Sequence, residues 1–194
     1  MYKSIVLATC LGFASLNVLA TPRTLIPNES QIAFVVKEMG VPVSGEFKRF
    51  EAAIDIDPVK PEKSNANMHI EIASLSTGSD EADAIAVDSD WLDKVHAPHA
   101  IFKSASIRAL GGGRYEAKGT LTIRNKERSL FIQFSSSDQA GGKTVITSDF
   151  IIKRSEFGIG GGVWNEGGVV AEEIPVKVKL TLATPVAKTS TSPH

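Results

Sequence analysis

The residue types that most often carry chemistry form few convergent patterns in this chain. His96 and His99 place two imidazoles three positions apart, close to several aspartates. Pro98 between them breaks helical spacing, so the two rings need not converge, and no third ligand set accompanies them. His69 alternates onto the polar face of a strand. We therefore interpret these histidines as surface residues and predict no metal site.

No nucleophile or nucleotide-binding motif stands out either. No serine lies in a G-x-S-x-G elbow, and Cys10, the single cysteine, lies in a segment that we expect to be removed. The run Gly158 to Gly162 superficially resembles a phosphate loop, but neither a lysine-serine pair nor a helical pattern follows it. The sequence therefore predicts no catalytic residue and no cofactor, and it favours a flexible loop in which Trp164 caps a core or guards an entrance.

Charge does not point to a polyanionic partner. The net charge of −1 excludes nucleic acid as an expected ligand. The one cation that the pattern singles out is Arg154, at the end of a strand before the glycine-rich loop. We expect Arg154 to pair with a nearby acid, such as Asp149 or Glu156, in preference to a ligand headgroup.

The N-terminal segment has the features of an export signal. Lys3 precedes an apolar run of 12 residues from Ile5 to Leu16, and Ala20 provides a small residue for cleavage. A membrane anchor is the alternative, but a span needs roughly 18 to 20 apolar residues. We predict a cleaved signal peptide over 1–20, a single domain over 21–184, a disordered tail over 185–194, and a periplasmic location.

Apolar side chains alternate with polar ones along most of the predicted domain. The alternation begins in Ser30 to Asp57 and recurs to Leu182, and it is typical of antiparallel strands with one buried face. Only residues 80–95 change to helical spacing, with acidic residues in the first turn. The pattern predicts an all-β meander of roughly eight to ten strands with one helical insertion, which either stacks as a sandwich or closes as a barrel.

Several motifs, in order and at matching spacing, resemble the YceI-like family of bacterial periplasmic lipid-binding proteins. They cover nearly the whole predicted mature chain. The motifs are Ser30-Gln31-Ile32-Ala33-Phe34, Val43-Ser44-Gly45-Glu46-Phe47, Ala73-Ser74-Leu75-Ser76-Thr77-Gly78, Trp91-Leu92-Asp93 with Pro98, Phe102-Lys103-Ser104, Gly119-Thr120-Leu121-Thr122-Ile123, and Arg154-Ser155-Glu156-Phe157-Gly158-Ile159-Gly160.

The resemblance implies an antiparallel lipocalin-like β-barrel of about eight strands with a short helical insertion. It also implies a long isoprenoid ligand, polyprenyl or quinone-like, with a membrane or a membrane cytochrome as a transient partner and dimerisation through an exposed sheet face. Two positions depart from the family pattern. Ala82 and Asp83 stand where the family often has an Arg-Asp pair, and Asn125 stands where it usually has glycine.

Strand parity selects the side chains that would face a ligand in such a barrel. Because burying a methylene is worth about 0.8 kcal/mol, an apolar wall alone can hold an isoprenoid tail. The alternatives are an isomerase- or dehydratase-like enzyme acting on a small apolar substrate in the same cavity, or a solid-cored module that binds a protein. The predicted ligand-binding residues are Phe34, Val36, Phe47, Ile54, Ile70, Phe102, Ile123, Phe150 and Trp164.

Overall fold

The computed structural model describes residues 23–161, 164 and 169–184, so the predicted signal peptide and tail lie outside the described residues. The strands are β1 (Gln31–Glu38), β2 (Val41–Phe47), β3 (Phe50–Asp55), β4 (Asn65–Glu71), β5 (Leu75–Ser76), β6 (His99–Gly111), β7 (Arg114–Ile123), β8 (Lys126–Asp138), β9 (Thr144–Lys153) and β10 (Glu173–Leu182). One α-helix, α1 (Asp80–Ala86), lies among them in the described chain, and 3-10 turns cover Pro27–Glu29, Pro61–Lys63, Ile72–Ser74, Ala140–Gly142 and Arg154–Phe157. Within these residues, no helix is both long and apolar enough to cross a membrane.

The strands form a single antiparallel sheet that curls back on itself. Its order is β3-β4-β6-β7-β8-β9-β10-β1-β2-β5. β2 and β3 stand near opposite ends of this order, yet only Lys48 and Arg49 separate them in the chain. At this bend the Lys48 N–H donates to the Ser74 carbonyl at 3.0 Å, and the Glu71 N–H donates to the Arg49 carbonyl at 3.0 Å. One bent strand therefore joins the two ends of the sheet, and the predicted barrel-like architecture is confirmed.

The period-two pattern predicts correctly which face of each strand is buried. In β9, Ile146, Ser148 and Ile152 are buried, while the neighbouring Ile151 is 55% exposed. In β8, Phe134 is buried and Phe131, on the opposite parity, is 65% exposed. Alternate side chains thus point into a shared apolar interior, as expected for a half-buried sheet.

Residues 79–98, which we call the cap, cross one end of the curled sheet. The predicted helix start is right: the Ser79 hydroxyl accepts from the Ala82 N–H at 3.4 Å, and acidic residues fill the first turn. Within the segment 80–95, whose spacing predicts one helix or a pair of helical turns, the α-helix ends at Ala86 and turns follow it, so the insertion is short. The Asp88 carboxylate accepts from the Ser89 N–H at 2.7 Å, a local bond that competes with helical hydrogen bonding.

Candidate functional site

The interior of the barrel contains an apolar cavity, which we call the lumen, of about 210 Å³. No charged or titratable side chain lies among the described residues that line it. The one hydroxyl on the wall belongs to Ser148, and it donates to the Gln133 carbonyl at 2.7 Å. Small-molecule sites typically measure roughly 300 to 1,000 Å³, so a long ligand requires wall side chains to move. Flexible Met68 on the wall is suited to such adjustment.

Most of the predicted wall residues line the lumen. They are Phe34, Val36, Phe47, Ile70, Phe102, Ile123 and Phe150. Ile54 has the right parity and is 4% exposed, but it is not among the residues that line the lumen, and its backbone forms a bridge with Arg23 of the N-terminal segment. Trp164 is also outside the wall, because its ring packs edge-on against Trp91, with ring centroids 5.5 Å apart. Contact of these residues with a ligand stays a prediction.

Two phenylalanine rings lie over glycines of the neighbouring strands, and this keeps the lumen open. Phe34 in β1 is directly opposite Gly45 in β2, and a Cβ at Gly45 would come within 2.9 Å of the ring carbons Cε1 and Cε2, and closer still to Cζ. Phe102 lies in the same way over Gly119, where a Cβ would come 2.6 Å from the ring carbon Cζ. A side chain at either glycine would push its ring toward the centre. The glycines therefore leave volume that a ligand can occupy.

Arg124 fastens the cap to the barrel end. Its guanidinium donates to the Ser89 carbonyl at 2.7 Å, to the Asp90 carbonyl at 3.1 Å and to the Gly158 carbonyl. The Gly160 N–H adds a bond of 2.9 Å to the same Asp90 carbonyl. These contacts place Ala86, Trp91 and Leu92 of the cap over the lumen, whose wall they complete.

The asparagine that replaces the usual family glycine fits its position. Arg124 and Asn125 form the β7–β8 turn with φ of 50° and 57°. Both lie in the left-handed region, which asparagine tolerates better than most residues. The Asn125 side-chain amide also donates to the His96 carbonyl at 3.0 Å, a contact that glycine cannot make. The departure thus adds a second fastening point for the cap.

Arg154 has a structural role, and the prediction that it pairs with Asp149 or Glu156 is wrong. The side chain is 5% exposed, and its ion-pair partner is Glu172, with Nε 3.9 Å from Oε2, in place of Asp149 or Glu156. Its terminal nitrogens donate to four backbone carbonyls of the following loop region, at 2.9 to 3.4 Å. A buried guanidinium with these acceptors holds the loop against the barrel end and leaves little donor capacity for a ligand.

Two carboxylates of the cap, those of Asp83 and Asp93, accept hydrogen bonds from neighbouring groups. Hydrogen bonds from the Thr77 hydroxyl, at 2.7 Å, and the Thr77 N–H, at 2.6 Å, lower the pKa of Asp83. The His96 ring nitrogen Nδ1, 2.9 Å from Asp93 Oδ1, lowers the pKa of that carboxyl. Among the residues that the structure describes, no cluster of three or more His, Cys, Asp or Glu could hold a metal ion.

The end of the barrel opposite the cap is plugged by stacked aromatic rings. Tyr115 and Phe134 stack with centroids 5.3 Å apart at 16°. Phe134 lines the lumen, whereas Tyr115 lines a second pocket of about 420 Å³ that also contacts Arg23 and Asp138. Arg23 donates to the Thr144 hydroxyl and lies 3.8 Å from the Asp138 carboxylate, so its charge is already balanced. The lumen is therefore an apolar chamber between this stack and the cap.

Reasoning from strand parity missed part of the wall. It omitted the cap residues, because parity applies only to strands, and it omitted small side chains, because they carry no strong apolar signal. Small residues occupy strand positions that face the lumen, next to aromatic residues. They were the signal in the sequence that the interior contains free volume. The main omissions are the cap residues Ala86, Trp91 and Leu92, the small residues Ala117, Gly45 and Gly119, and Met68, whose position in β4 has the same parity as Ile70.

A curled antiparallel sheet with an apolar lumen and a helical cap defines the class of lipocalin-like barrels. Residues 24–182 match the profile of the YceI-like domain, and the chain belongs to that family. Among curated relatives, the UPF0312 protein of Pseudomonas savastanoi is 28% identical over 172 residues, which is 83% of this chain and 90% of the relative.

Solved structures agree with this family assignment. BcnA from Burkholderia cenocepacia superposes with a TM-score of 0.78 at 32% identity, over 81% of this chain and 98% of that one. A polyisoprenoid binding domain from Saccharophagus degradans, implicated in plant cell wall breakdown, has a TM-score of 0.68 at 14% identity, covering 85% and 99%. The second likeness concerns the fold alone.

Proposed function

We propose that this protein is a periplasmic carrier that holds one long isoprenoid lipid, polyprenyl or quinone-like, in its lumen. The observation that carries the proposal is the wall, which is apolar throughout and whose single hydroxyl, on Ser148, already donates to a backbone carbonyl. Such a wall recognises a hydrocarbon tail and offers nothing to a charged solute. Membership of the YceI-like family and the fold shared with a polyisoprenoid binding domain support the same ligand class.

Binding is favoured over catalysis because general acid-base or nucleophilic chemistry needs a titratable or nucleophilic group beside the substrate. No such group with free hydrogen-bonding capacity lines the described lumen. The mechanism would be sequestration, in which the walls replace water around the tail. Each methylene transferred from water contributes about 0.8 kcal/mol, so several isoprene units supply the affinity without polar contacts.

The proposed periplasmic location rests on the predicted signal peptide in the N-terminal sequence, which precedes the described residues. In that compartment a carrier would take its lipid from a membrane and deliver it to a membrane or to a membrane cytochrome. Dimerisation through an exposed sheet face belongs to the same proposal. Phe131 and Ile151, both on outward parity of adjacent strands, are the exposed apolar residues of such a face.

Native purification followed by solvent extraction and mass spectrometry tests the proposal. We expect a stoichiometric isoprenoid lipid in the extract, or uptake of added polyprenyl lipid by the delipidated protein. An extract without lipid, combined with no uptake, would rule the carrier out.

A pair of adjacent residues supplies a matched control. Phe150 lines the lumen and Ile151 points outward on the same strand. Phe150→Asp would bury an unpaired carboxylate against the tail and abolish uptake, whereas Ile151→Asp makes the same change on the outer face of the sheet, outside the lumen, and leaves uptake intact whether or not the protein dimerises through that face. Circular dichroism shows whether both variants stay folded. Equal uptake by two folded variants would place the lipid outside the lumen.

A further inference from the structure

The wall of the barrel contains a stretch in which two neighbouring strands are not joined by a ladder. β8 pairs with β7 over residues 126–135, and β9 pairs with β10 along its whole length. β8 and β9, however, pair with each other only through residues 135–138 and 144–147. Beyond this short ladder, residues 126–134 and 148–153 form two facing edges that share no backbone pair in the described structure. We call this stretch the seam.

The seam is bounded at both ends. At its ladder end, the Ser148 hydroxyl donates to the Gln133 carbonyl at 2.7 Å, a side-chain bond next to the point where the ladder stops. At its cap end, the Arg124 guanidinium, which precedes β8, donates to the carbonyl of Gly158, which follows β9. Between these two bonds each strand runs for five or six residues, which is about 17 to 20 Å.

Apolar side chains lie on both faces of the seam. Ile132 of β8 and Phe150 and Ile152 of β9 line the lumen. On the outward parity, Phe131 and Ile151 are 65% and 55% exposed. The register of the short ladder, continued along the two strands, places Phe131 opposite Ile151. A hydrocarbon chain between the two edges would therefore meet apolar side chains from the outer surface to the lumen.

Both ends of the lumen are closed by direct contacts. The cap covers one end, where Arg124 and Asn125 fasten it, and the stacked rings of Tyr115 and Phe134 plug the other end. Parting β7 from β8, or β9 from β10, would break a long row of backbone hydrogen bonds. Along the seam there is no such row between the described strands, so the wall separates there at the lowest cost.

We propose that the seam is the portal through which the lipid tail enters and leaves the lumen, by sideways parting of β8 and β9. The inference rests on the proposed lipid-carrier function and adds to it the route of the ligand. A slit admits a flexible chain segment by segment, while the cap stays in place. The portal sets the rate of exchange and does not change the amount of lipid bound at equilibrium.

Chemical linkage of the two edges tests the portal. Phe131→Cys and Ile151→Cys place one thiol on each edge. Cys10→Ser removes the chain's only cysteine, so a short, cleavable bis-maleimide joins this pair alone. The control is the pair Asp149→Cys and Lys177→Cys on the same outer face, because these two positions lie opposite each other in the intact β9–β10 ladder.

The measured quantity is the rate at which geranylgeranyl-benzoquinone leaves the protein for phosphatidylcholine vesicles. A bound quinone quenches the fluorescence of Trp91, which lines the lumen, so release appears as recovery of that fluorescence. The protein is diluted until light scattering shows a monomer, because a dimer through Phe131 and Ile151 would cover the seam.

We expect linkage across the seam to slow release roughly tenfold or more, because the lipid must then leave past the cap, which breaks hydrogen bonds of a charged donor, Arg124. Cleavage of the linker should restore the rate. Linkage of the control pair should leave the rate unchanged.

A second measurement uses the unmodified protein. Alternate backbone amides of 127–132 and 149–153 point into the seam, where they have no ladder partner, so they should exchange rapidly with solvent. The amides of the same residues that bond to β7 or β10 should be protected. Equal protection of the two sets would mean that β8 and β9 are paired along the seam, and the portal would be refuted.

The outcomes separate the two proposals. If the unlinked protein takes up no quinone, the carrier function itself fails. If it takes up quinone, but the seam linkage leaves the release rate unchanged or slows it no more than the control linkage does, the lipid is carried by another route and the portal is refuted.

Discussion

The open lumen depends on glycine under an aromatic ring, and Gly45→Ala tests this dependence. Gly45 is not among the residues with positive φ, so alanine fits the backbone and removes the entropic disadvantage of glycine in a strand. The new Cβ would, however, come within 2.9 Å of the Phe34 ring carbons Cε1 and Cε2. Carbon atoms pack at about 3.5 to 4.0 Å, so the ring must retreat by about 1 Å.

The ring can move only toward the lumen, because the sheet lies behind it. Overpacking in a filled core costs about 1 to 3 kcal/mol, but here the cavity of about 210 Å³ accepts the ring. We therefore expect the stability of Gly45→Ala to change by less than about 1 kcal/mol. If the displaced ring takes the place of two methylenes of ligand, the affinity falls by about 1.6 kcal/mol, or roughly 15-fold.

The assay is titration of the delipidated protein with a polyprenyl lipid, alongside thermal unfolding. Phe34→Leu shortens the side chain, so the double variant with Gly45→Ala should regain most of the lost affinity, which appears as coupling in a double-mutant cycle. Gly40→Ala is the control: that residue has φ of 81° and no atom within 4 Å of a built Cβ, so it should lose stability and keep its affinity.

Two results would refute this reasoning. Wild-type affinity in a folded Gly45→Ala variant would mean that the Phe34 ring does not border the bound lipid. A loss of affinity that Phe34→Leu does not reverse would mean that Gly45 acts through the backbone of β2, independently of the ring.

Three further outcomes follow from the cap and the second glycine. Arg124→Met removes the donors to three carbonyls of the cap and loop, so lipid exchange into vesicles should become roughly tenfold faster. Arg128→Met is the control: it loses a bond only to the carbonyl of Glu127, so its rate of lipid exchange should equal that of the wild type. Because the pKa of Asp83 is lowered on folding, its carboxylate stabilises the protein above its ordinary pKa, and this contribution is lost as the pH falls below about 4. Asp83→Asn should therefore lower the melting temperature at pH 7, and its difference from the wild type should shrink as the pH is lowered below about 4; a difference that stays constant would contradict the assignment. Gly119→Ala should lose about 1 to 3 kcal/mol of stability, since its Cβ would lie 2.6 Å from the Lys103 carbonyl oxygen, which the ladder holds in place, and an unchanged melting temperature would contradict that contact.

Strand faces were predictable because side-chain direction in a strand depends only on position parity. That rule placed Phe34, Phe102 and Phe150 on the wall of the lumen. It could not place Ile54, because parity says which face a residue occupies but not how far along the barrel it lies. Trp164 lies in a loop, where no period constrains direction, and it packs on Trp91.

The partners of buried polar groups were less predictable than the strand faces. Arg154 was expected to bond acids close in sequence, but it pairs with Glu172 and with carbonyls of a loop that folds back over it. Likewise, Asn125 in a left-handed turn was visible only as a departure from a family pattern, and its bond to the His96 carbonyl depends on the position of the cap. Contacts between distant segments follow from the closure of the barrel.

By itself, the sequence determines the antiparallel strands, their buried faces and the helical insertion, because these follow from local periodicity and from acidic residues at a helix start. Only the tertiary structure decides that the shared face encloses space. A void depends on the difference between the volume that the closed sheet encloses and the summed volume of the side chains inside it. That difference remains positive here because Phe34 and Phe102 lie on Gly45 and Gly119.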